Sequence, residues 1–579
     1  MTANKNMWLQ AGLVAAGVGA ALVAGPGVAA AYADNGADKG ADRSTVGADR
    51  ASSSAPTPTP GHVGTPGAGR TARPASAVRP AAVTDEPVSI SVPEPVSRPN
   101  RATRPSPTRA AAAAATGNAI VVPTAATSPV TTAPAATAVA SASSADVTAA
   151  AAAAKAPGPI KAAIAAAQAY IYGYPLMEYQ RVRQTVGTVN TLYSLTSFAN
   201  PDVDPIWNAI GGGKRPNTDT FYSLAELDLS NGPVVLSVPD MGSRYFSFQL
   251  TDPYTNVSGY IGSRTTGFGP GKYAITWSGG PQVDVPGAQT VLVPYSSMLA
   301  LGRTLAGDEA DQQSAIALMK QYSLTPSGGP VSPVIPIPKP GLSYLDAISA
   351  AMELSPPPAV DAPILAKMAQ IGVGPGLRVA DANLSFFSRA AADIAVKATA
   401  ALLPLLATVN QYVAAFQNRG WATPSANIGN YGTDYLLRAG VAEVGLVANT
   451  PEEAVYSAGL LSGNLLPLKG WGTPYVLHFA PGQEPPVGAF WSVTAYDSAG
   501  RLVPNADLRY SVSSSRPDEL VRRPDGSIDI VFSPCDPGDP GANWLKVPLG
   551  GFSAYLRMYV PDPSVLDGTW KAPAIVHSR

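Results

Sequence analysis

The chain has 579 residues, of which 58 are Pro and 55 are Gly, and the Pro is spread unevenly, so part of the length is not packed. Only 14% of residues are charged and the net charge is -1, which excludes a broad basic face and with it nucleic acid or an anionic membrane surface as partner. Cys535 is the single cysteine, which excludes an internal disulfide and leaves core burial to hold the fold.

The first residues carry Lys5 as a short positive region, an apolar run from Met7 to Val23, and the small-x-small pattern Ala31-Tyr32-Ala33. This pattern predicts a signal peptide over 1–33, with an uncleaved N-terminal anchor as the alternative; both make the rest secreted or cell-envelope associated. No later stretch reads as apolar enough for a membrane span. From 34 to 156 the chain is Ala, Pro, Ser and Thr with almost no aromatics, a composition that cannot offset ordering entropy, so it reads as a disordered spacer.

KAAIAAAQAYIYGYPLMEYQRVRQTV predicts a helix with Ile164, Ala167, Ile171 and Tyr174 on one stripe and Pro175 stopping or kinking it. Tyr170, Tyr172, Tyr174 and Tyr179 read as half-buried tyrosines with hydroxyls at the surface, or as a stacking platform. Between Thr220 and Val293, FYSLAELDL, VVLSVP, YFSFQLTD, VSGYIG, YAITW and TVLVP are six short alternating runs, the signature of an antiparallel sheet or sandwich. Helical periodicity returns from Asp308 to about Asn418 and again in TDYLLRAGVAEVG. Strands follow in PYVLHFA, GAFWSVTAYDSAG, DGSIDIVFS and GFSAYLRMYVP. The two β stretches are not copies of one another.

AYIYGYPLMEYQRVRQT, RPNTDTFYSLAELDLSNGPVVLSVPD and RYFSFQLTDPYTNVSGYIGSRTTG resemble the bacterial domain-of-unknown-function family 1254. GTPYVLHFAPGQEPPVGAFWSVTAYDSAGRLVPN and NWLKVPLGGFSAYLRMYVPDPSVLDGTWKAPAIV are similar to its usual partner, family 1214. The resemblance covers about 160 to 579 and implies two β-sandwich domains, the second like a jelly roll, but no established reaction. The expected fold is thus a β-rich α+β protein: two antiparallel β-sandwich or jelly-roll-like domains joined by a helical region, after the disordered spacer. The expected division is 157–305 for the first β domain with its leading helix, 306–445 for the helical bridge and 446–579 for the second β domain.

Few reaction chemistries are available. With His62, His478 and His577 as the only histidines, a His-rich metal centre is excluded, and no cofactor motif follows a strand. His478 sits in a strand and reads as a packed residue, Cys535 as a passive loop thiol, and GGGKRPN as a weak anion cradle. The acid pairs Asp219 with Glu226 and Asp497 with Asp507 are the carboxylate candidates, though Asp497 and the DGSID loop have plain hairpin-turn explanations. In RPNTDT, a strand would place Arg215, Asn217 and Asp219 on one face, as a ligand-facing cluster or as an internal network. With Tyr222, and with Trp491, Tyr496, Asn505 and Arg509 of the second domain, they form the candidate binding set around an interdomain cleft. A carbohydrate or lipid-like small molecule is the expected ligand. A carboxylate-dependent hydrolase and a structural or protein-interaction module are the alternatives.

Overall fold

The computed structural model describes residues 156–199 and 215–578. The expectations for 1–33, for nearly all of the 34–156 spacer and for Gly211 to Lys214 lie outside these residues.

The first element is α1 (Pro159–Val186), opened by Pro at its first turn, where the missing N–H is no loss, and closed by Gly187 in the left-handed region. Pro175 does not stop it: the helix continues for eleven residues beyond, because it is clamped by other helices on several sides. The expected stripe is also corrected. Ile164 is exposed, while Ala162, Ala163, Ala166 and Ala169 are buried. Small side chains let α5 (Phe386–Gln417), which adds its own Ala391, Ala392 and Ala395 to the same core, lie close against α1. Of the α1 tyrosines only Tyr174 is half-buried, and Tyr170, Tyr172 and Tyr179 are buried. Tyr172 and Tyr179 are inside, and they donate to Asp361 at 2.7 Å and to Glu226 at 3.1 Å. Buried acceptors are what allow the phenols inside.

The six strands expected between Thr220 and Val293 all form: β2 (Thr220–Asp228), β3 (Val234–Val238), β4 (Phe246–Thr251), β5 (Val257–Gly262), β6 (Gly271–Trp277) and β7 (Gln289–Val293). Two more frame them, β1 (Tyr193–Leu195) and β8 (Ser297–Leu305). The first sheet has the order β1-β2-β8-β4-β5 and is antiparallel throughout; the second is β7-β6-β3-β9, with β6 and β7 parallel. Its β9 (Ser323–Pro326) comes from the stretch expected as helical bridge and pairs with β3. β8, not expected from the sequence, is buried on both faces, as β2 and β4 are. Met298 and Ala300 enter the first core, while Leu299 and Leu301 pack with Tyr496 and Leu502 of the second β region.

Between the β regions lie α2 (Glu309–Met319), α3 (Leu342–Leu354), α4 (Ala362–Ala369), α5, the two-residue strand β10 (Trp421–Ala422) and α6 (Tyr435–Gly445). Side-chain N-caps fix three of the starts: Asp308 accepts from Asp311 N, Ser385 from Ser388 N and Asp434 from Leu437 N. By length and composition α5 is long and apolar enough to cross a membrane, contrary to the reading of the sequence. Here it packs along α1 and buries Leu403 and Val396 in the first core.

The second β region comprises β11 (Ala454–Gly459), β12 (Tyr475–Phe479), β13 (Val487–Asp497), β14 (Ser511–Ser513), β15 (Ile528–Ser533), β16 (Asn543–Lys546), β17 (Phe552–Pro561), the short α7 (Pro563–Leu566) and β18 (Val576–His577). One sheet runs β10-β11-β17-β13-β14 and the other β16-β15-β12-β18. Their facing side chains, among them Leu477, Phe479, Val493, Ile530, Phe532 and Leu556, form one apolar core, so this region is a sandwich.

Candidate functional site

Strand alternation builds the site. On β2 and β8 one parity (Phe221, Ala225, Met298, Ala300) fills the first core, and the other carries Tyr222, Leu301 and Arg303 outward, with Tyr222 directly opposite Arg303 in the ladder. On β17 Ala554, Leu556 and Met558 fill the second core, so Tyr555, Arg557 and Tyr559 face the first region, with Tyr456 of β11 opposite Arg557. These two faces meet α5 and α6, which contribute Leu403, Leu406, Val441 and Val444, and together they line a half-open cavity of about 480 Å³. That volume suits a small organic ligand.

The stretch from Arg215 to Asp219 is not a strand. β2 starts at Thr220, and Asn217 instead closes a turn, its Oδ1 accepting from Asp219 N at 2.7 Å. Arg215 takes a left-handed backbone (φ 57°), which few non-glycine residues adopt. The three side chains therefore do not share a face. Arg215 and Asn217 line the cavity; Arg215 lies over the Tyr555 ring at 5.4 Å, and Asn217 donates to the Tyr559 hydroxyl at 2.6 Å. Asp219 turns away from the cavity, fully buried, and accepts from the hydroxyls of Ser492 (2.5 Å) and Ser511 (3.0 Å), with Arg516 at 3.6 Å.

The second-domain set is largely corrected. On β13, residues 491 and 496 have opposite parity: Trp491 goes into the sandwich core against Phe479, while Tyr496 goes to the contact, donating to Pro216 O at 2.5 Å and accepting from Arg557 at 2.7 Å. Tyr496 thus braces the wall rather than lining it. Asn505 and Arg509 hold the loop after β13, Asn505 by donating to Arg509 O and Arg509 by donating to Glu519 O, and neither reaches the cavity. The residues the sequence reading missed are Arg303, Arg557, Tyr456, Tyr555 and Tyr559. Their signal was present: AYLRMYV puts two tyrosines and an arginine on one strand face, and Arg303 is the lone charge in SMLALGRTL.

The electrostatics are one-sided. Arg303 and Arg557 are 3% and 4% exposed. Arg303 donates to Gln249 (2.8 Å), Asn449 (3.1 Å) and Val447 O (3.0 Å), and Arg557 to Thr494 (3.0 Å), Arg215 O (2.9 Å) and Tyr496, all neutral acceptors. Among the described residues no Asp or Glu lines the cavity. Burial pushes the phenols of Tyr222, Tyr555 and Tyr559 up, so they are neutral hydroxyls.

The carboxylate pairs do not assemble. Glu226 lies in a different network, paired with Arg183 at 2.8 Å and accepting from Ser297, and Asp497 accepts the N–H groups of Ala499 and Arg501 in its own turn. Asp525 of DGSID accepts from Ser527 in the same way. His478 is not packed: it stands exposed on β12, 2.6 Å from Asp529. Cys535 is an exposed free thiol. Among the described residues no group of His, Cys, Asp or Glu is disposed to hold a metal ion.

Comparison with known proteins agrees with this division. Residues 189–326 match the model of the family described as protein of unknown function DUF1254, and 453–563 match that of protein of unknown function DUF1214. No curated protein matches the chain. Among solved structures, the VPA0106 protein from Vibrio parahaemolyticus is 23% identical with a TM-score of 0.54, over 72% of this chain and 100% of that one, which is a likeness of fold. An uncharacterised protein from Burkholderia cenocepacia is 13% identical with a TM-score of 0.37, over 67% of this chain and 84% of its own. In these two segments, and in this order, the chain is thus similar to the DUF1254 and DUF1214 families.

Proposed function

We propose that this protein binds a lipid-like ligand in the cavity where its two β regions meet, as an exported component of the cell envelope. The observation that carries the reading is the uneven cavity wall: α5 and α6 give mostly aliphatic side chains, with Asn410 and Gln411 the polar ones on α5, while the strands and the turn before β2 give Arg, Tyr and Asn side chains beside Leu301. A molecule with an apolar body and a polar end satisfies both sides. A glycan would set hydroxyls against Leu403, Leu406 and Val441, where each unpaired group costs about 1–3 kcal/mol. Carboxylate hydrolysis needs two acids facing the ligand about 5–10 Å apart, and no described acid faces this cavity. The envelope location is supported by Lys5, the apolar run from Met7 and the Ala31-Tyr32-Ala33 pattern.

Thermal melting of the full chain with single-chain amphiphiles and with wall-type oligosaccharides tests the reading. An amphiphile at a hundred times its Kd adds about 2.7 kcal/mol of stability, and Leu406→Trp, which fills the cavity, abolishes that rise while the variant stays folded. Stabilisation by oligosaccharides alone, or by neither class, would overturn it.

A further inference from the structure

We infer that the ligand of this cavity carries an anionic head, a carboxylate or a phosphate monoester, gripped by Arg215, Arg303 and Arg557; the inference rests on the lipid-binding reading above. A guanidinium stays protonated in any protein environment, and a charge taken out of water is normally met by an opposite charge. Arg303 and Arg557 sit on β8 and β17, interior strands of their sheets, and are almost fully buried. Their hydrogen bonds go to amides, hydroxyls and backbone carbonyls, none of which neutralises them. The carboxylate whose field reaches Arg557, that of Asp219, lies behind the wall and is shared with Arg516 and two serine hydroxyls.

A second observation points the same way. The Nε of Arg303 is buried and has no partner, at a residue that lines the cavity, and the Nε of Arg215 is in the same state. The arrangement therefore leaves two things over, positive charge and guanidinium donors, and an oxyanion supplies what both lack. Its paired oxygens fit the planar fork of arginine better than a neutral alcohol does. The tail then runs to the opposite wall, along Leu406 and Val441.

The test is calorimetric titration of the full chain with dodecanoate, dodecyl phosphate, dodecanol and inorganic phosphate. Charge-assisted hydrogen bonds predict that the anionic amphiphiles bind roughly 10–100-fold more tightly than dodecanol. Arg303→Met should narrow the ratio of dodecanoate to dodecanol affinity by about tenfold. Arg215→Gln, at a less buried position whose backbone bonds are kept, should do the same and stands if Arg303→Met fails to fold. The carboxylate and phosphate arms tell the two heads apart. Dodecanol binding as tightly as dodecanoate to the unsubstituted protein overturns the anionic head and leaves the lipid-like reading in place. Failure of all three amphiphiles overturns both. Inorganic phosphate matching dodecyl phosphate upholds the arginine grip and overturns the lipid-like tail.

Discussion

The contact between the two β regions has two halves made from similar residues with opposite results. In the closed half Asp219, wholly buried, is surrounded by the hydroxyls of Ser492 and Ser511 and the guanidinium of Arg516. A few residues away Arg303 and Arg557 meet Tyr222, Tyr456 and Tyr555 around a cavity that no described acid lines. Both halves arise because β2, β8, β13 and β17 turn one parity to their own core and the other, which mixes apolar residues such as Leu224, Leu299 and Leu301 with polar ones, to the partner region. Where an acid sits among the donors the contact seals. Where it does not, it opens into a chamber with unspent positive charge.

The sharpest way to break that comparison is to remove the acid. Asp219→Ala leaves two buried hydroxyls and Arg516 facing a void, and it should destabilise the protein by about 3–5 kcal/mol, read from the midpoint of chemical denaturation. Asp219→Asn, which keeps the shape and one acceptor, should recover part of the loss. A change below about 1 kcal/mol for the alanine variant would mean that the closed half is held by something else.

Much of this fold was legible, and the reasons for the failures are local. Six strands of the first region were marked by alternation and by turn residues, and the long α5 by its period. β8 was missed, and burial on both faces does not by itself explain it, since β2 and β4 are buried in the same way and were read. The stretch RPNTD was misread as strand, because Asn217 satisfies the backbone through its side chain and so removes the residues from the ladder. Arg215, Asn217 and Tyr222 reach the cavity; Trp491 does not, since parity sends it inward. The helical wall was out of reach of the sequence, because Leu406 and Val441 meet the strands only through tertiary folding.

A buried acid away from the contact sharpens the picture. Asp252, in the loop after β4, accepts from the backbone and side chain of Asn256, and burial pushes its carboxyl up from the ordinary 3.8 to about 6 despite those bonds. The folded state thus holds a proton that the unfolded state has released between these values. Its stabilising contribution is complete below about pH 4 and is lost as pH rises through about 6. Asp252 should account for roughly 2–3 kcal/mol of the fall in unfolding free energy across that window, and Asp252→Asn should remove that share, leaving the fall due to Glu226, which burial likewise pushes up, to about 7. A flat profile in the unsubstituted protein would show that hydrogen bonds from neutral groups suffice to keep a buried acid charged.

The smallest effect concerns the residue at the seam between the halves. Tyr559 lines the cavity, yet its hydroxyl accepts from Asn217 at 2.6 Å and its ring stacks on Phe490 with centroids 4.2 Å apart. Tyr559→Phe keeps the stack and removes only the acceptor, while Asn217 retains its bond to Thr220 at 3.0 Å. The loss should be about 0.5–1.5 kcal/mol, the net worth of one hydrogen bond, in the same denaturation measurement. A loss above about 3 kcal/mol would assign Tyr559 to the closed half, because only a group whose removal strands other buried polar atoms reaches that size. Tyr559 is fully buried, and the change deletes one acceptor while the Asn217 amide stays bonded to Thr220, which is the physical reason to expect the smaller value.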